Sequence, residues 1–414
     1  MSFYNEPKSQ ILMLGGRRAG KSTILASIVQ NIKNLGRGDL FTILRDEAVL
    51  ESGDKDVSLS RKRREIQGFI NNRELIKNNK ACVLVDMSPS KGRTKYMIKT
   101  RIGRNSDAVF EFLDVPGEDM EERVQVEESA IEGADKIEKE NPNFQSLMEK
   151  AMVSDVVIVA IDTPFLMEAD EEINDVYNRI PEITAITGNM KPSDNNDNKL
   201  IILCPVKCEK WRREGRIDEV TNKTRDVYRD LINAHVMNPL FQIWIMPIST
   251  AGGLEHFKMM DGYRFRRKDN KSFLGIKCNK EKEELGSIDE NTDQIYAKNG
   301  EILNRNEVEI DDRKPDKSLL IDHFYIPLSW YRRTGEYKPS LCEQPAYHII
   351  RFLAKKAIAS SRWYERIINV FSKHLDKYLE MVEKMENEGL IKTDGDGFMQ
   401  VTNLVVRQQN NEQQ

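Results

Sequence analysis

The sequence lacks any uninterrupted apolar run of about eighteen residues, the length that a membrane-spanning helix needs. Its first ten residues, MSFYNEPKSQ, contain no basic segment followed by an apolar one, so they do not resemble a secretory signal. We therefore expect a cytoplasmic protein with no transmembrane segment.

Cysteine is scarce, and the five cysteines show no repeated C-x-x-C spacing. An odd number of scattered cysteines indicates reduced thiols rather than a disulfide framework or a zinc site. Histidine is equally scarce, and its five positions include no H-E-x-x-H pair. The sequence thus gives no support to a zinc hydrolase of that class.

An excess of positive charge is also missing, because 63 basic residues stand against 67 acidic ones. With a net charge of −4 and no basic stripe interleaved with aromatics, nucleic-acid binding is not expected. Hydrophobic residues make up 39% of the chain and charged residues 31%, as in ordinary globular proteins. A length of 414 residues predicts one large domain with additions, or two domains.

Short apolar runs alternate with segments of helical periodicity over the first two thirds of the chain. Buried parallel strands are predicted at QILML, SDVVIVAID, LIILCPV and FQIWIMPI. Residues 95–102 and 108–114 alternate in polarity and predict a hairpin. Together these patterns predict an α/β fold with a doubly wound, mostly parallel sheet and an antiparallel edge.

A glycine-rich loop follows the first predicted strand and reads Gly15-Gly16-Arg17-Arg18-Ala19-Gly20-Lys21-Ser22. This is the P-loop pattern G-x-x-x-x-G-K-[ST], and it stands between a strand and a helix as that pattern requires. Backbone N–H groups must converge on phosphate oxygens there, so glycines open and close the loop. The predicted nucleotide-binding residues of this segment are Gly15, Gly16, Arg17, Arg18, Ala19, Gly20, Lys21, Ser22 and Thr23.

Individual side chains of the loop have distinct predicted roles. Lys21 would reach the β- and γ-phosphate oxygens as a point charge, and the Ser22 hydroxyl would be a ligand of Mg²⁺. Arg17 and Arg18 add positive charge within the loop. They either lie in solvent, facing water or an acidic partner, or Arg18 supplies charge to the transition state from within the chain.

A second phosphate-side element begins at Asp114, which follows the apolar run VFEFL. A carboxylate at the end of a neighbouring strand is suited to the metal, so Asp114 is a predicted magnesium ligand. With Gly117 it forms D-x-x-G, whose glycine N–H can approach the γ-phosphate and move when that phosphate leaves. Taken alone, this segment could also be an ordinary strand that ends in a Pro-Gly turn.

The P-loop and D-x-x-G elements resemble those of the Ras-like and translation-factor-like class of P-loop GTPases. The segment ILMLGGRRAGKSTI is particularly similar to the Rag family, and with LDVPGE it also resembles bacterial double-GTPase proteins of conflict-system operons. The resemblance covers roughly residues 8–255. It implies GTP or GDP as the bound nucleotide, Mg²⁺ as the cofactor and a protein effector as the partner.

The resemblance also implies a water-orienting glutamine directly after D-x-x-G, where this chain has Glu118. A carboxylate can accept a hydrogen bond from water but cannot donate one to a transition-state oxygen. Hydrolysis is therefore expected to be slow or to use another group. The family's switch threonine, a metal ligand, is assigned to Thr94, with Ser88 and Ser90 as alternatives.

The base-reading element of this class corresponds to Lys207-Cys208-Glu209, directly after LIILCPV. A carboxylate can accept both donors on one edge of guanine, whereas adenine presents an acceptor there, so Glu209 favours GTP. Lys207 would lie along the base plane, and the loop of Ser249, Thr250 and Ala251 would touch the base oxygen through its backbone. The alternatives are a charged approach to a helix and a simple turn.

The domain organisation follows from these assignments. Residues 8–255 are predicted to form the P-loop GTPase domain, with an insertion at about 36–93. Residues 256–320 lack periodicity and predict a charged, partly disordered insertion. A helical C-terminal extension is expected at 321–390 and a polar tail at 391–414.

The leading functional interpretation is a magnesium-dependent GTPase that acts as a conformational switch. One alternative is a scaffold that binds GTP with little turnover, and another is a P-loop ATPase or kinase. The predicted catalytic residues are Arg18, Lys21, Gly117 and Glu118.

Overall fold

The computed structural model describes most of the chain in separate ranges. These are residues 8–16, 19–35, 41–50, 59–70, 82–83, 92–102, 106–120, 123–127, 136–192, 197–267, 272–278, 294–297, 302–304, 308–310, 326–359 and 382–401. No helix within these ranges is long and apolar enough to cross a membrane.

The described strands, in chain order, are β1 (Lys8–Leu14), β2 (Phe41–Leu50), β3 (Cys82–Val83), β4 (Thr94–Ile102), β5 (Ser106–Asp114), β6 (Arg123–Glu127), β7 (Lys136–Glu140), β8 (Val156–Asp162), β9 (Lys199–Val206), β10 (Phe241–Ile245), β11 (Leu254–Arg267), β12 (Ser272–Cys278), β13 (Gln294–Ala297), β14 (Ile302–Asn304), β15 (Val308–Ile310), β16 (Ile326–Arg333) and β17 (Met399–Gln400). The helices are α1 (Lys21–Leu35), α2 (Leu59–Ile70), α3 (Pro142–Val153), α4 (Thr163–Glu168), α5 (Glu171–Asn178), α6 (Ile180–Gly188), α7 (Glu209–Arg213), α8 (Ile217–Val227), α9 (Arg229–His235) and α10 (Gln344–Ala359).

The main sheet has eight strands in the order β17-β10-β9-β8-β1-β5-β4-β2. Strands β10, β9, β8, β1 and β5 pair in parallel, whereas β4, β2 and β17 pair antiparallel. The predicted mostly parallel α/β sheet with an antiparallel edge is therefore confirmed. The predicted hairpin at 95–102 and 108–114 is present as β4 and β5.

Helices cover both faces of this sheet, as the side chains of β1 show. Ile11 and Met13 are buried in one core cluster with residues of α1 and α10. Leu12 and Leu14 are buried in a second cluster with residues of α3 and α6. Since successive residues of a strand face opposite ways, a strand that is apolar throughout needs a helix layer on each side. The sheet is doubly wound in this sense.

Local signals place the helices that support the site. The Asn141 side chain accepts a hydrogen bond from the Asn143 N–H at 3.0 Å and so caps α3, which starts at Pro142. Asp170 caps α5 by accepting from the Ile173 N–H at 2.9 Å. These caps fix where each helix begins after its strand or loop.

A second, antiparallel sheet contains β14-β13-β12-β11-β16-β3, and β15 pairs with β11. Strands β11 to β15 lie largely in the region 256–320, where the sequence predicted a charged, partly disordered insertion. Pairing between strands, which can override weak local patterns, orders the described residues of this region. A signal was present in YRFR, where Tyr263 and Phe265 alternate with arginines.

Parts of the two predicted C-terminal regions are described as well. Residues 321–390 were predicted to be helical, and α10 fits, but β16 lies in this range and pairs with β11. The predicted polar tail at 391–414 begins with residues that join the main sheet, because β17 pairs with β10 and Phe398 is buried. Its residues 402–414 lie outside the described part of the chain. The short pairing with β10, rather than local composition, orders this end.

Candidate functional site

The predicted P-loop lies between the end of β1 at Leu14 and the start of α1 at Lys21. A Cβ atom on Gly15, whose φ is +142°, would lie 2.4 Å from the Ala160 carbonyl oxygen. On Gly16 it would lie 1.7 Å from the Tyr177 carbonyl oxygen. Only glycine fits such close backbone approaches, so the loop geometry itself requires these two residues.

Hydrogen bonds hold the remainder of the loop against the start of α1. The Ala19 N–H donates to the Gly16 carbonyl at 3.2 Å, and the Thr23 N–H donates to the Gly20 carbonyl at 3.0 Å. Because α1 begins at Lys21, the positive end of its dipole lies at the loop. Arg17 and Arg18 lie outside the described residues, so their predicted roles are untested.

Lys21 is only 8% exposed, and its ammonium lies over the loop. Its Nζ donates to the Gly15 carbonyl at 2.6 Å and to the Gly16 carbonyl at 3.0 Å. These contacts place a buried positive charge at the mouth of the loop. An anion bound between the loop and α1 would contact this charge.

The three predicted metal ligands come together beside the loop. Ser22 Oγ donates to Asp114 Oδ2 at 2.8 Å, and Asp114 is fully buried at the end of β5. Thr94 is the first residue of β4 and lies opposite Asp114 in the antiparallel register. Hydroxyl and carboxylate oxygens are the ligands that Mg²⁺ prefers, so this donor set fits the ion. Ser88 and Ser90 lie outside the described residues.

After Asp114 and two further residues, the chain forms a 3₁₀ helix, Gly117–Met120. The Arg93 Nε donates to Asp119 Oδ2 at 2.6 Å, and its NH2 donates to the Asn143 carbonyl at 2.7 Å. Arg93 therefore joins the segment before β4 to the turn that contains Gly117. The backbone of Glu118 is part of this turn, but its side chain is outside the described set.

The predicted base end of the site begins at Lys207, which follows β9 with a φ of +61°. Its ammonium pairs with the Asp162 carboxylate and lies 5.8 Å from the centre of the Tyr331 ring. Burial, the largest influence, lowers the pKa of Lys207. Asp162 and Tyr331 outweigh burial, so the pKa lies above its ordinary value.

Glu209 is buried and hydrogen-bonded to the predicted base-contacting loop. Its Oε1 accepts from the Ala251 N–H at 2.7 Å and from the Gly252 N–H at 3.0 Å. Burial raises the pKa of this carboxyl, and the two backbone hydrogen bonds oppose that rise. The structure thus brings Glu209 and Ala251, two of the predicted base-contacting residues, into contact with each other.

A C-terminal segment supports the same loop from outside. Ser249 and Ser340 exchange backbone hydrogen bonds of 3.1 and 2.9 Å, and the Lys338 N–H donates to the Ala251 carbonyl at 3.1 Å. Ser249 and the adjacent Thr250 are buried. Sequence reasoning did not assign the residues around Lys338 to the site, because nothing local indicates this pairing.

Asp162 and Tyr331 were likewise missed. Asp162 had a usable signal, since it ends a buried strand, and ligands of parallel sheets bind beyond the carboxyl ends of strands. Tyr331 had none, because its position depends on how β16 pairs with β11. The described residues contain no group of three or more His, Cys, Asp or Glu side chains that could hold a metal ion.

Comparisons with known proteins add little to this geometry. No protein-family model matches the chain, and no curated protein matches it in sequence. Similar solved structures include the S. cerevisiae Ski7 GTPase-like domain bound to GDP and inorganic phosphate, with 10% identity, 80% of this chain and 76% of that chain covered, and a TM-score of 0.28. The same domain bound to GTP gives 11% identity, coverage of 81% and 77%, and a TM-score of 0.29. TM-scores this low do not establish a shared fold. The α/β fold is therefore assigned from the sheet order and loop geometry of this chain itself.

Proposed function

We propose that this protein binds GTP with Mg²⁺ and hydrolyses it to GDP and phosphate as a conformational switch. The observation that carries the proposal is the phosphate cradle. There, a glycine loop pressed against β8 and α5 precedes α1, with Lys21 buried at its mouth and Ser22 bonded to Asp114. This combination offers positive charge, a helix N-terminus and hard oxygen ligands at one place.

Each of these residues has a defined part in binding. Lys21 would exchange its two carbonyl contacts for β- and γ-phosphate oxygens and would neutralise their charge. Ser22, Asp114 and Thr94 would hold the ion, which when bound neutralises charge on the phosphates. The backbone from Gly15 to Thr23 would enclose the phosphates.

Hydrolysis would depend on the turn after Asp114. The Gly117 N–H would contact the γ-phosphate, and Glu118 would accept a hydrogen bond from the attacking water. Because Glu118 cannot donate to a transition-state oxygen, positive charge from Arg18 would be needed to stabilise the charge that develops. We propose a slow enzyme for this reason.

Guanine selectivity is proposed for Glu209 and the loop from Ser249 to Ala251. One carboxylate oxygen of Glu209 already accepts two backbone N–H groups. A carboxylate has further lone pairs on its second oxygen, so it can also accept from the donors of guanine. Lys207 would lie along the plane of the base.

Switching would use the contact between Arg93 and Asp119. Arg93 precedes Thr94, and Asp119 follows Gly117, so one ion pair joins the two segments expected to respond to the γ-phosphate. Loss of that phosphate would release Gly117 and Thr94 together. A protein effector that recognises one of the two shapes completes the proposal.

Glu118 also favours one alternative, a scaffold that holds GTP with little turnover. A P-loop ATPase or kinase is the other alternative. The narrower resemblances to Rag-type and bacterial double-GTPase proteins, the cytoplasmic location and the division into domains all stay predictions.

Binding and single-turnover hydrolysis of GTP and ATP by the purified chain, with Mg²⁺ and with a chelator, test the proposal. We expect GTP to bind at least about tenfold more tightly than ATP and to be hydrolysed only with Mg²⁺. Equal affinities would reject the guanine assignment. Tight GTP binding without turnover would support the scaffold instead, and absence of binding would reject the proposal as a whole.

A further inference from the structure

Lys207 lies between two side chains that belong to no nucleotide-binding motif. Asp162 comes from the carboxyl end of β8 in the main sheet, and Tyr331 comes from β16 in the second sheet. We propose that Asp162 and Tyr331 are positioning residues that hold Lys207 along the base plane, so that the second sheet completes the base site. This inference rests on the proposed GTP-binding function and deepens it.

Asp162 is held in place by its own neighbours. Its backbone N–H donates to Asn178 Oδ1 at 2.7 Å, and Asn178 Nδ2 donates to the Asp162 carbonyl at 3.3 Å and to Asn174 Oδ1 at 2.8 Å. Asp162, Asn174 and Asn178 are all buried. The backbone of Asp162, which carries the carboxylate that meets Lys207, is therefore held against the end of α5.

The same two segments also form the wall of the phosphate cradle. The Ala160 carbonyl lies against Gly15, and the Tyr177 carbonyl lies against Gly16. Asp162 is two residues after Ala160, and Asn178 directly follows Tyr177. Asp162, which pairs with Lys207, is thus held at a fixed distance from the loop that would hold the phosphates. This distance would match the separation between the base and the phosphates of a bound nucleotide.

Tyr331 brings the second sheet into this arrangement. It is 6% exposed. Burial raises the pKa of Tyr331, Lys207 opposes that rise and Asp162 adds to it, and together they bring the pKa to about 12. A neutral phenol ring beside an ammonium provides a cation–π contact that is stronger away from water. The ring therefore holds the lysine without neutralising its charge.

An anchor between the two sheets keeps Tyr331 close to Asp162. The helix α4 directly follows Asp162, and its Glu168 Oε2 lies 2.9 Å from His256 Nε2 on β11. His256 Nδ1 in turn lies 2.8 Å from Ser329 Oγ on β16. The His256 ring packs edge-on against Tyr331 at 6.0 Å. This chain of contacts ties the strand that carries Tyr331 to the strand end that carries Asp162.

A lysine side chain has four rotatable bonds, and fixing them costs entropy on binding. Partners that already hold the side chain remove part of this cost, which is the general advantage of preorganisation. The effect concerns only ligands that contact Lys207 through a base. The affinity of ligands that bind at the P-loop alone would not change.

Calorimetric titration with GTP and with inorganic tripolyphosphate, both with Mg²⁺, tests this inference. For Asp162→Asn and for Tyr331→Leu we expect GTP affinity to fall about tenfold while tripolyphosphate affinity stays within about twofold of the wild type. Tyr331→Phe keeps the ring and should lose less than Tyr331→Leu. Unchanged tripolyphosphate binding also serves as the control that each variant is folded.

A double-substitution cycle identifies the route of the effect. In a Lys207→Met background, Asp162→Asn should lower GTP affinity no further, because it acts through the lysine. Equal losses for GTP and tripolyphosphate, or a full loss in the Lys207→Met background, would overturn the inference. If the wild type bound GTP no better than tripolyphosphate, the proposed function would fail. If the wild type bound GTP tightly and Asp162→Asn bound it equally well, only this inference would fail.

Discussion

The proposed phosphate end and the proposed base end of the site are built in different ways. The phosphate end comes mainly from one short segment, Gly15 to Ser22, whose geometry depends on backbone approaches to Ala160 and Tyr177. The base end joins Lys207, the loop at Ser249 and Tyr331, which are far apart in the chain. A site for phosphates needs backbone N–H groups and so a local motif, whereas a site for a base can be assembled from many elements.

Removing the buried ammonium of the phosphate end should have the largest effect. With Lys21→Ala, GTP affinity should fall by about 100-fold or more. The lysine ammonium would donate a hydrogen bond to each of two charged phosphate oxygens, and each such bond contributes about 1.5–3 kcal/mol. Direct titration with GTP and ATP should show the same loss for both. Lys223→Ala, which removes an exposed lysine of α8, is the matched control and should bind normally. A loss confined to GTP would place Lys21 at the base end and break the comparison.

The loop backbone should be the next most sensitive feature. In Gly16→Ala the added Cβ would lie 1.7 Å from the Tyr177 carbonyl, so the loop must shift, and we expect about a tenfold or greater loss of affinity for GTP and ATP alike. Gly188→Ala is the control, because a Cβ at the end of α6 meets nothing within 4 Å. It should bind normally and be slightly more stable. Normal triphosphate binding by Gly16→Ala would show that the close approach is not needed.

The same difference explains what the sequence could predict. Glycine spacing between an apolar strand and a helix is a local pattern, so the P-loop, Asp114 and the strands β1, β4, β5, β8, β9 and β10 could be predicted from sequence alone, whereas β2 and β17 could not. The second sheet could not, because its strands are stabilised by partners distant in the chain, as when Leu254 pairs with Arg333. Charge in the RFRRKDNK segment also concealed the alternation of Tyr263 and Phe265.

At the base end the residue types were predicted, but their contacts were not. Glu209 and Ala251 were identified by their order after two buried strands, yet nothing local showed that the carboxylate would accept the Ala251 N–H. Asp162 stands in an apolar strand and has no motif around it. Its place at the end of a buried strand was a signal for a site, but its proposed role depends on Lys207, 45 residues later, and that pairing is seen only in three dimensions.

Neutralising Glu209 should affect only the choice of base. Glu209→Gln keeps a carbonyl oxygen for the Ala251 and Gly252 N–H groups but loses the charge, so the preference for GTP over ATP should fall about tenfold with little change in unfolding temperature. Glu209→Ala should lose the same preference and also about 1–3 kcal/mol of stability, because two partly buried N–H groups lose their acceptor. Glu214→Gln makes the same charge change at an exposed position and is the control. An unchanged preference in both Glu209 variants would reject the base assignment.

The smallest expected effect is a dependence of base preference on pH. Because burial raises the pKa of Glu209 above its ordinary value of 4.5, its carboxyl takes up a proton at a higher pH than an exposed glutamate does. The ratio of GTP to ATP affinity should therefore fall, by less than the tenfold expected for Glu209→Gln, as the pH is lowered from about 7 toward 4.5. Protonation of the phosphates affects both nucleotides and cancels in this ratio.

The Glu209→Gln variant is the control for this titration, and its ratio should be flat over the same range. The contribution of Glu209 to stability should have the opposite sign, because the folded chain binds this proton more tightly than the unfolded chain and so gains stability as the pH falls. Selectivity and stability would then change in opposite directions at one residue. A ratio that is constant in the wild type, or that falls equally in Glu209→Gln, would show that Glu209 serves the loop at Ala251 and not the base.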